Sequence, residues 1–171
     1  MDGSVIVQSE PGKGSSFIVE IPCRIVSEEK RIDQAEQSLP ENPLKYKRIL
    51  LVEDNELNME IARTILQDAK AEVEVAADGA IAVAMVQKAS AGYYDVVLMD
   101  IQMPKMNGYQ ATKAIRKLPD ERAQVPIIAM TANAFEEDRQ AAFAAGMDDY
   151  LAKPIEIDKL LRKIVKALKK K

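Results

Sequence analysis

Histidine and tryptophan are absent from the 171 residues, and cysteine occurs once. Without an imidazole the chain has no histidine base and none of the usual zinc sites. The lone Cys23 cannot form an internal disulfide, which fits a reducing compartment and sets the expectation of a cytoplasmic protein. Aromatics are few, with three Phe, so the 47% apolar content points to a core of Ala, Val, Ile and Leu. No apolar run approaches the ~20 residues of a membrane span, and no signal peptide is visible; no membrane contact is expected of this segment. Positive charge is not in excess either. The net charge of −3 argues against a nucleic-acid binder, which would carry a basic face. At roughly 150 residues per domain, the length allows one domain and a remnant.

What the chain does have is centred on residues 95–104, Asp-Val-Val-Leu-Met-Asp-Ile-Gln-Met-Pro. Val96–Met99 is an uninterrupted apolar run, the signature of a strand buried on both faces of a parallel sheet. It ends at Asp100. Pro104 and Asn107-Gly108 then mark a loop, because Pro lacks an N–H for the ladder and Asn-Gly favours a turn. Asp100 lies several residues too early to cap a helix starting near Asn107. It is placed at the carboxyl end of a central strand, the edge where open α/β sheets bind ligands.

The N-terminal part, 1–23, reads as two short strands around Pro11-Gly12-Lys13-Gly14-Ser15-Ser16, a hairpin. A phosphate-loop reading of Gly-Lys-Gly-Ser fails, since Gly14 follows Lys13 and Val7 stands where the first Gly is needed. Residues 24–45 are charged, rich in Gln and Ser, and end in Pro40-Glu41-Asn42-Pro43, a composition expected of a solvated linker. From Tyr46 to Lys171, strands and helices alternate. Strands are expected at 49–52, 73–76, 96–99, 126–130 and 149–151, and helices at 56–68, 79–88, 108–117, 134–145 and 156–168. Five βα units in succession predict an α/β fold, a doubly wound parallel sheet of flavodoxin-like strand order 2-1-3-4-5.

That fold brings polar residues to one sheet edge. Glu53 and Asp54 end the first strand of this unit, Asp100 the third and Thr131 the fourth, and Lys153 follows the fifth. Clustered carboxylates repel one another unless a cation lies between them. Mg²⁺ is suited to this, being hard, oxygen-seeking and willing to keep waters. Lys153 adds a point charge able to pair with Asp100 or a phosphate oxygen. A metal, a carboxylate nucleophile, a hydroxyl and an ammonium are the parts that phosphoryl transfer uses.

Val-Glu-Asp-Asn, Leu-Met-Asp-Ile-Gln-Met-Pro-x-Met-Asn-Gly, Met-Thr-Ala-Asn and Tyr-Leu-Ala-Lys-Pro, in this order and spacing, closely resemble the receiver domain of two-component response regulators. The resemblance implies that Asp100 accepts a phosphoryl group. It implies that Asp54 binds Mg²⁺ directly, Glu53 through water, and Gln102 through its backbone carbonyl. Thr131 and Lys153 would hold the phosphoryl group, Tyr150 would be the aromatic switch, and Gln102 and Asn133 would tune phosphoryl lifetime. A cis bond before Pro154 is also common in that family. Leu57 or Met59, on the apolar arc of the first helix, would help a partner dock beside Asp100.

The string Met-Asp-Gly-Ser-Val-Ile-Val-Gln-Ser-Glu-Pro-Gly-Lys-Gly-Ser-Ser-Phe in turn resembles the last hairpin of the ATP-binding domain of sensor histidine kinases. Gly12, Gly14 and Phe17 would belong to its second glycine box. Together the two resemblances imply the C-terminal receiver of a hybrid sensor kinase, a kind of parent that can be membrane-anchored. Its partner would be a histidine kinase phosphoacceptor domain or a histidine phosphotransfer protein, since this chain supplies no histidine. Two competing readings are an unphosphorylated pseudo-receiver and an aspartyl-phosphate phosphohydrolase. The second would need Asp-x-Asp after the first strand, where this chain has Glu53-Asp54-Asn55.

Overall fold

The computed structural model describes residues 3–10, 12–20, 39–132 and 136–169. They divide into two units, Met1–Ser38 and Leu39–Lys171. Cys23, most of the linker and Asn133 lie outside the described residues.

In the first unit, β1 (Ser4–Glu10) pairs antiparallel with β2 (Gly14–Glu20), in a register running from Ser4 opposite Glu20 to Glu10 opposite Gly14. The glycines here serve the turn. Gly12 and Gly14 have φ of 78° and 99°, a region that side chains disfavour. The Lys13 N–H closes the turn on the Glu10 carbonyl at 3.0 Å.

The second unit alternates strictly. Its elements are β3 (Arg48–Val52), α1 (Glu56–Asp68), β4 (Glu72–Ala76), α2 (Gly79–Lys88), β5 (Val96–Asp100), α3 (Gly108–Arg116), β6 (Ile127–Thr131), α4 (Glu136–Ala145), β7 (Asp149–Ala152) and α5 (Ile157–Leu168). All strand pairings are parallel, in the spatial order β4-β3-β5-β6-β7. Counted within this unit, that is the expected 2-1-3-4-5. The sheet is apolar on both faces because successive side chains point opposite ways. Leu50, Val52, Val97, Met99, Ile127 and Ala129 join one core, with Ala82, Val86, Ala111 and Ile115 from α2 and α3. Ile49, Leu51, Val96, Leu98, Ile128 and Met130 join the other, with Ala62 and Leu66 of α1 and Leu160 and Ile164 of α5.

One boundary departs from the sequence reading. Leu44, assigned by composition to the linker, is fully buried, and its N–H donates to the Ala69 carbonyl at 3.2 Å. The folded unit therefore starts ahead of Tyr46. At the amino edge of the sheet, the half-buried Arg116 donates to the carbonyls of Gly146, Ala123 and Val125 at 2.7–2.8 Å and to Asp148 at 2.8 Å. Asp148 also accepts the Ile127 N–H at 2.8 Å, so this network anchors the start of β6.

Candidate functional site

The carboxyl edge carries the charge. Asp100 is the last residue of β5 and Glu53 follows β3 directly, 4% and 1% exposed, while Asp54 is open to solvent. One carboxylate oxygen from each lies within 4.8 Å of the other two. Lys153, after β7, places its ammonium 2.7 Å from Glu53 Oε2 and 2.7 Å from Asp100 Oδ2. Burial pushes the Lys153 pKa down, but hydrogen bonds and attraction from Asp100 and Glu53 outweigh it, and the net shift is upward. The ammonium stays charged near neutrality. The Lys153–Pro154 bond is cis, and the Lys153 N–H donates to the Thr131 carbonyl at 2.7 Å. Thr131 ends β6, the strand beside Asp100, and is 6% exposed.

The loop after β5 is shaped by close contacts. The Gln102 N–H donates to Asp100 Oδ1 at 3.2 Å. Asn107, not Asp100, caps α3: its side chain accepts the Gln110 N–H at 2.9 Å, and Gln110 Oε1 accepts the Asn107 N–H at 3.1 Å. Gly108 is needed for approach, because a Cβ there would lie 2.2 Å from the Asp100 carbonyl oxygen. Lys105, at φ 63°, reaches the buried Asp78 at 3.0 Å and ties this loop to the start of α2.

Two features escaped the sequence reading. Asn58, in the first turn of α1, donates from Nδ2 to Glu53 Oε1 at 3.1 Å. The Asp78–Lys105 pair is the other; Asp78 is legible as a cap for α2, where it accepts the Ile81 N–H at 2.8 Å, but not as the anchor of Lys105. Of the residues chosen for docking, Leu57 is 69% exposed, whereas Met59 is half-buried against the α1–α5 core. A groove of about 440 Å³ beside Lys153 is lined by Asn58, Ile61, Ala132, Lys153, Pro154 and Ile155. Tyr150, on β7, is half-buried, its ring centroid 4.9 Å from Lys163 Nζ and 5.8 Å from Arg139 Cζ.

The donor set is all oxygen, with no sulfur or imidazole among the clustered residues. Three carboxylates against one ammonium leave two negative charges at the cleft. That chemistry suits a hard divalent cation such as Mg²⁺.

Three carboxylates and an ammonium gathered at the carboxyl edge of the middle strand of a parallel sheet form the arrangement expected of a receiver domain. The profile of the response regulator receiver domain matches residues 49–165. The chain belongs to that family. It is 39% identical over 166 residues to the aerobic respiration control sensor protein ArcB of Escherichia coli K12, a match covering 97% of this chain and 20% of ArcB. It is 44% identical over 121 residues to the sensor protein GacS of Pseudomonas syringae, covering 70% of the chain and 13% of GacS. The chain thus spans about a fifth or less of these relatives. Among solved structures, the receiver domain of the sensor histidine kinase PA1611 from Pseudomonas aeruginosa superimposes with a TM-score of 0.66 at 40% identity, covering 72% of this chain and 98% of that one. That domain has a magnesium ion coordinated in its active site cleft. Among the described residues, no helix is long and apolar enough to cross a membrane.

Proposed function

We propose that Asp100 accepts a phosphoryl group from a phosphohistidine on another protein or domain, and that Mg²⁺ is the cofactor. A phosphorus–nitrogen bond breaks, a bond from phosphorus to an Asp100 carboxylate oxygen forms, and the freed imidazole leaves. The observation that carries this reading is the Lys153 ammonium held between buried Glu53 and Asp100, with Asp54 closing the acidic cluster. Asp54, Asp100 and the Gln102 carbonyl would hold the ion directly and Glu53 through water, and the ion would supply positive charge to the phosphoryl oxygens. Lys153, its ammonium 2.7 Å from Asp100, would add positive charge of its own. The Thr131 hydroxyl binds the transferred group, and Tyr150 responds by changing its burial. Gln102 and Asn133 set how readily water reaches the acyl phosphate.

The partner is a histidine phosphotransfer protein or a kinase phosphoacceptor domain, docking over exposed Leu57 and Ile61 beside the groove. The parent is a hybrid sensor histidine kinase, with this receiver on its cytoplasmic side and residues 1–23 the end of its ATP-binding domain. What supports this is the reach of the ArcB similarity, which covers 97% of the chain and extends past the receiver. The pseudo-receiver and phosphohydrolase readings gain nothing from the complete set of Glu53, Asp54, Asp100, Thr131 and Lys153.

The direct test is intact mass after incubation with acetyl phosphate and Mg²⁺. One added phosphoryl group is expected, absent from Asp100→Asn and without Mg²⁺. A folded parent chain that takes up nothing at short times refutes the reading.

A further inference from the structure

We infer that Asn58 is a positioning residue for the metal site, acting through Glu53; the inference rests on the Mg²⁺ reading above. The first turns of α1 and α3 are built alike up to one point. In both, an Asn at the cap accepts the N–H three residues on, Asn55 from Asn58 at 3.0 Å and Asn107 from Gln110 at 2.9 Å. In α3 the side chain at that third position turns back, and Gln110 closes a capping box on the Asn107 N–H at 3.1 Å. In α1 it does not. Asn58 instead donates its amide to Glu53 Oε1 at 3.1 Å, so α1 forgoes the second half of its capping box to hold a carboxylate.

That carboxylate needs holding. Lys153 engages Oε2 at 2.7 Å and also attracts Asp100, and an ammonium is a point charge that imposes no plane on its partner. With Lys153 as its sole donor, Glu53 could swivel about the Oε2 contact. Asn58 fixes the second oxygen and with it the carboxylate plane. An ionised carboxylate has about four lone-pair sites; two donors leave the remainder for the cation and its water. The Asn55 cap in turn fixes Asn58, giving a chain from helix start to amide to carboxylate. Partners of this kind, behind the groups that serve a metal, typically change metal affinity by about 10–100-fold when removed, and because Glu53 acts through water the lower end applies here.

Selectivity gives the signature that separates positioning from general support. Mg²⁺ demands near-octahedral geometry, whereas Ca²⁺ accepts more ligands in looser arrangements. A Glu53 free to swivel should therefore harm Mg²⁺ binding more than Ca²⁺ binding. The experiment is calorimetric titration of the full chain with Mg²⁺ and with Ca²⁺, for wild type, Asn58→Ala and Asn58→Leu, beside Asp54→Ala. Asn58→Leu keeps the volume and removes the donor. The expectation is that both Asn58 variants lose about tenfold in Mg²⁺ affinity, lose less for Ca²⁺, and melt cooperatively without metal. In wild type, the side-chain amide resonance absent from both variants should move on adding Mg²⁺. Unchanged Mg²⁺ affinity in the variants, or equal losses for both ions, overturns the inference while leaving the metal site standing. Failure of wild type to bind Mg²⁺, with Asp54→Ala no different, overturns both.

Discussion

Replacing Lys153 by Met tests the electrostatics of the site most directly. Met keeps an unbranched apolar stem, so the change is largely the loss of one positive charge. Glu53 and Asp100, whose side chains are 2% and 6% exposed, then face each other without the ammonium that lies 2.7 Å from both. At the 4.8 Å limit of the cluster, two carboxylates repel by about 3.5 kcal/mol at an effective dielectric constant of about 20, and by about 0.9 kcal/mol at that of water. Such burial favours the first figure. Removing one partner from a buried ion pair typically costs about 3–5 kcal/mol, so a loss near 3 kcal/mol is expected without metal at pH 7. This is a large part of the ~5–15 kcal/mol available to a domain. With a urea slope of about 2 kcal/mol per molar, the midpoint falls by about 1.5 M. The chain has no tryptophan, so far-ultraviolet circular dichroism is the suitable probe.

Magnesium supplies the second arm. In the wild type an incoming cation meets the ammonium already seated on two of the three carboxylates; in Lys153→Met it does not. An ion present at 100 times its dissociation constant stabilises the fold by about 2.7 kcal/mol. The increment should be larger in the variant, which starts less stable and binds the ion against less repulsion. Equal stability of the two metal-free proteins, or equal Mg²⁺ increments, would refute this account of the charge balance.

Three other perturbations probe neighbouring features. Gly108→Ala puts a methyl group 2.2 Å from the Asp100 carbonyl oxygen, so it should cost at least about 1–3 kcal/mol and slow phosphoryl uptake together; denaturation and intact-mass rates check both, and an unperturbed variant would deny that this contact shapes the loop. Thr112 is fully buried in α3, and its hydroxyl has no hydrogen-bond partner among the described residues. Thr112→Val should therefore stabilise the domain by about 1 kcal/mol, seen as a higher urea midpoint with unchanged slope. At alkaline pH, several groups act in the same direction, Tyr94 and Lys153 among them. The Tyr94 phenol is pushed up by burial and then by Glu74, and the Lys153 pKa also lies above its ordinary value. Raised folded-state values mean that stability is complete below the unfolded pKa values, about 10 and 10.4, and is lost as pH rises beyond them. Thermal midpoints should fall from about pH 10 upward, less steeply in Tyr94→Phe.

Periodicity made the sheet legible. The runs Ile49–Val52 and Val96–Met99 have no polar interruption, which only a strand covered on both faces tolerates, and the split of alternate residues between two cores shows that covering. Asp100 was legible because a carboxylate closing such a run cannot stay inside it. The Asn55 and Asn107 caps follow from local chemistry within four residues. The rest depends on distances that sequence does not encode locally. Leu44 is one apolar residue in a polar run, without a period to reveal its burial. Lys105 and Asp78 are 27 positions apart and meet because both loops top the same edge. Asn58 looks like an ordinary first-turn residue until Glu53 is seen beneath it. Met59 packs half-buried against the α1–α5 core, and it is Ile61 that lines the groove.

The three carboxylates are not equivalent, and their differences account for the proposed division of roles. Glu53 has both oxygens occupied, by Asn58 and Lys153, and is 1% exposed, so it is a fixed source of negative charge. Asp54 is exposed and can reach an ion without large desolvation. Asp100 is intermediate. Oδ2 is held by Lys153 at 2.7 Å, whereas Oδ1 accepts the Gln102 N–H over a longer 3.2 Å, a looser hold than the ammonium's. An electrophilic phosphorus approaching the cleft would meet a carboxylate nucleophile whose other oxygen is paired with an ammonium. Transfer would then convert a carboxylate into an acyl phosphate of greater negative charge on the strand adjoining that of Thr131. The same ammonium that holds Glu53 and Asp100 together beforehand must divide itself anew. On that proposal, a resting charge balance that depends on one shared lysine would give, in that lysine, the means to register that transfer has occurred.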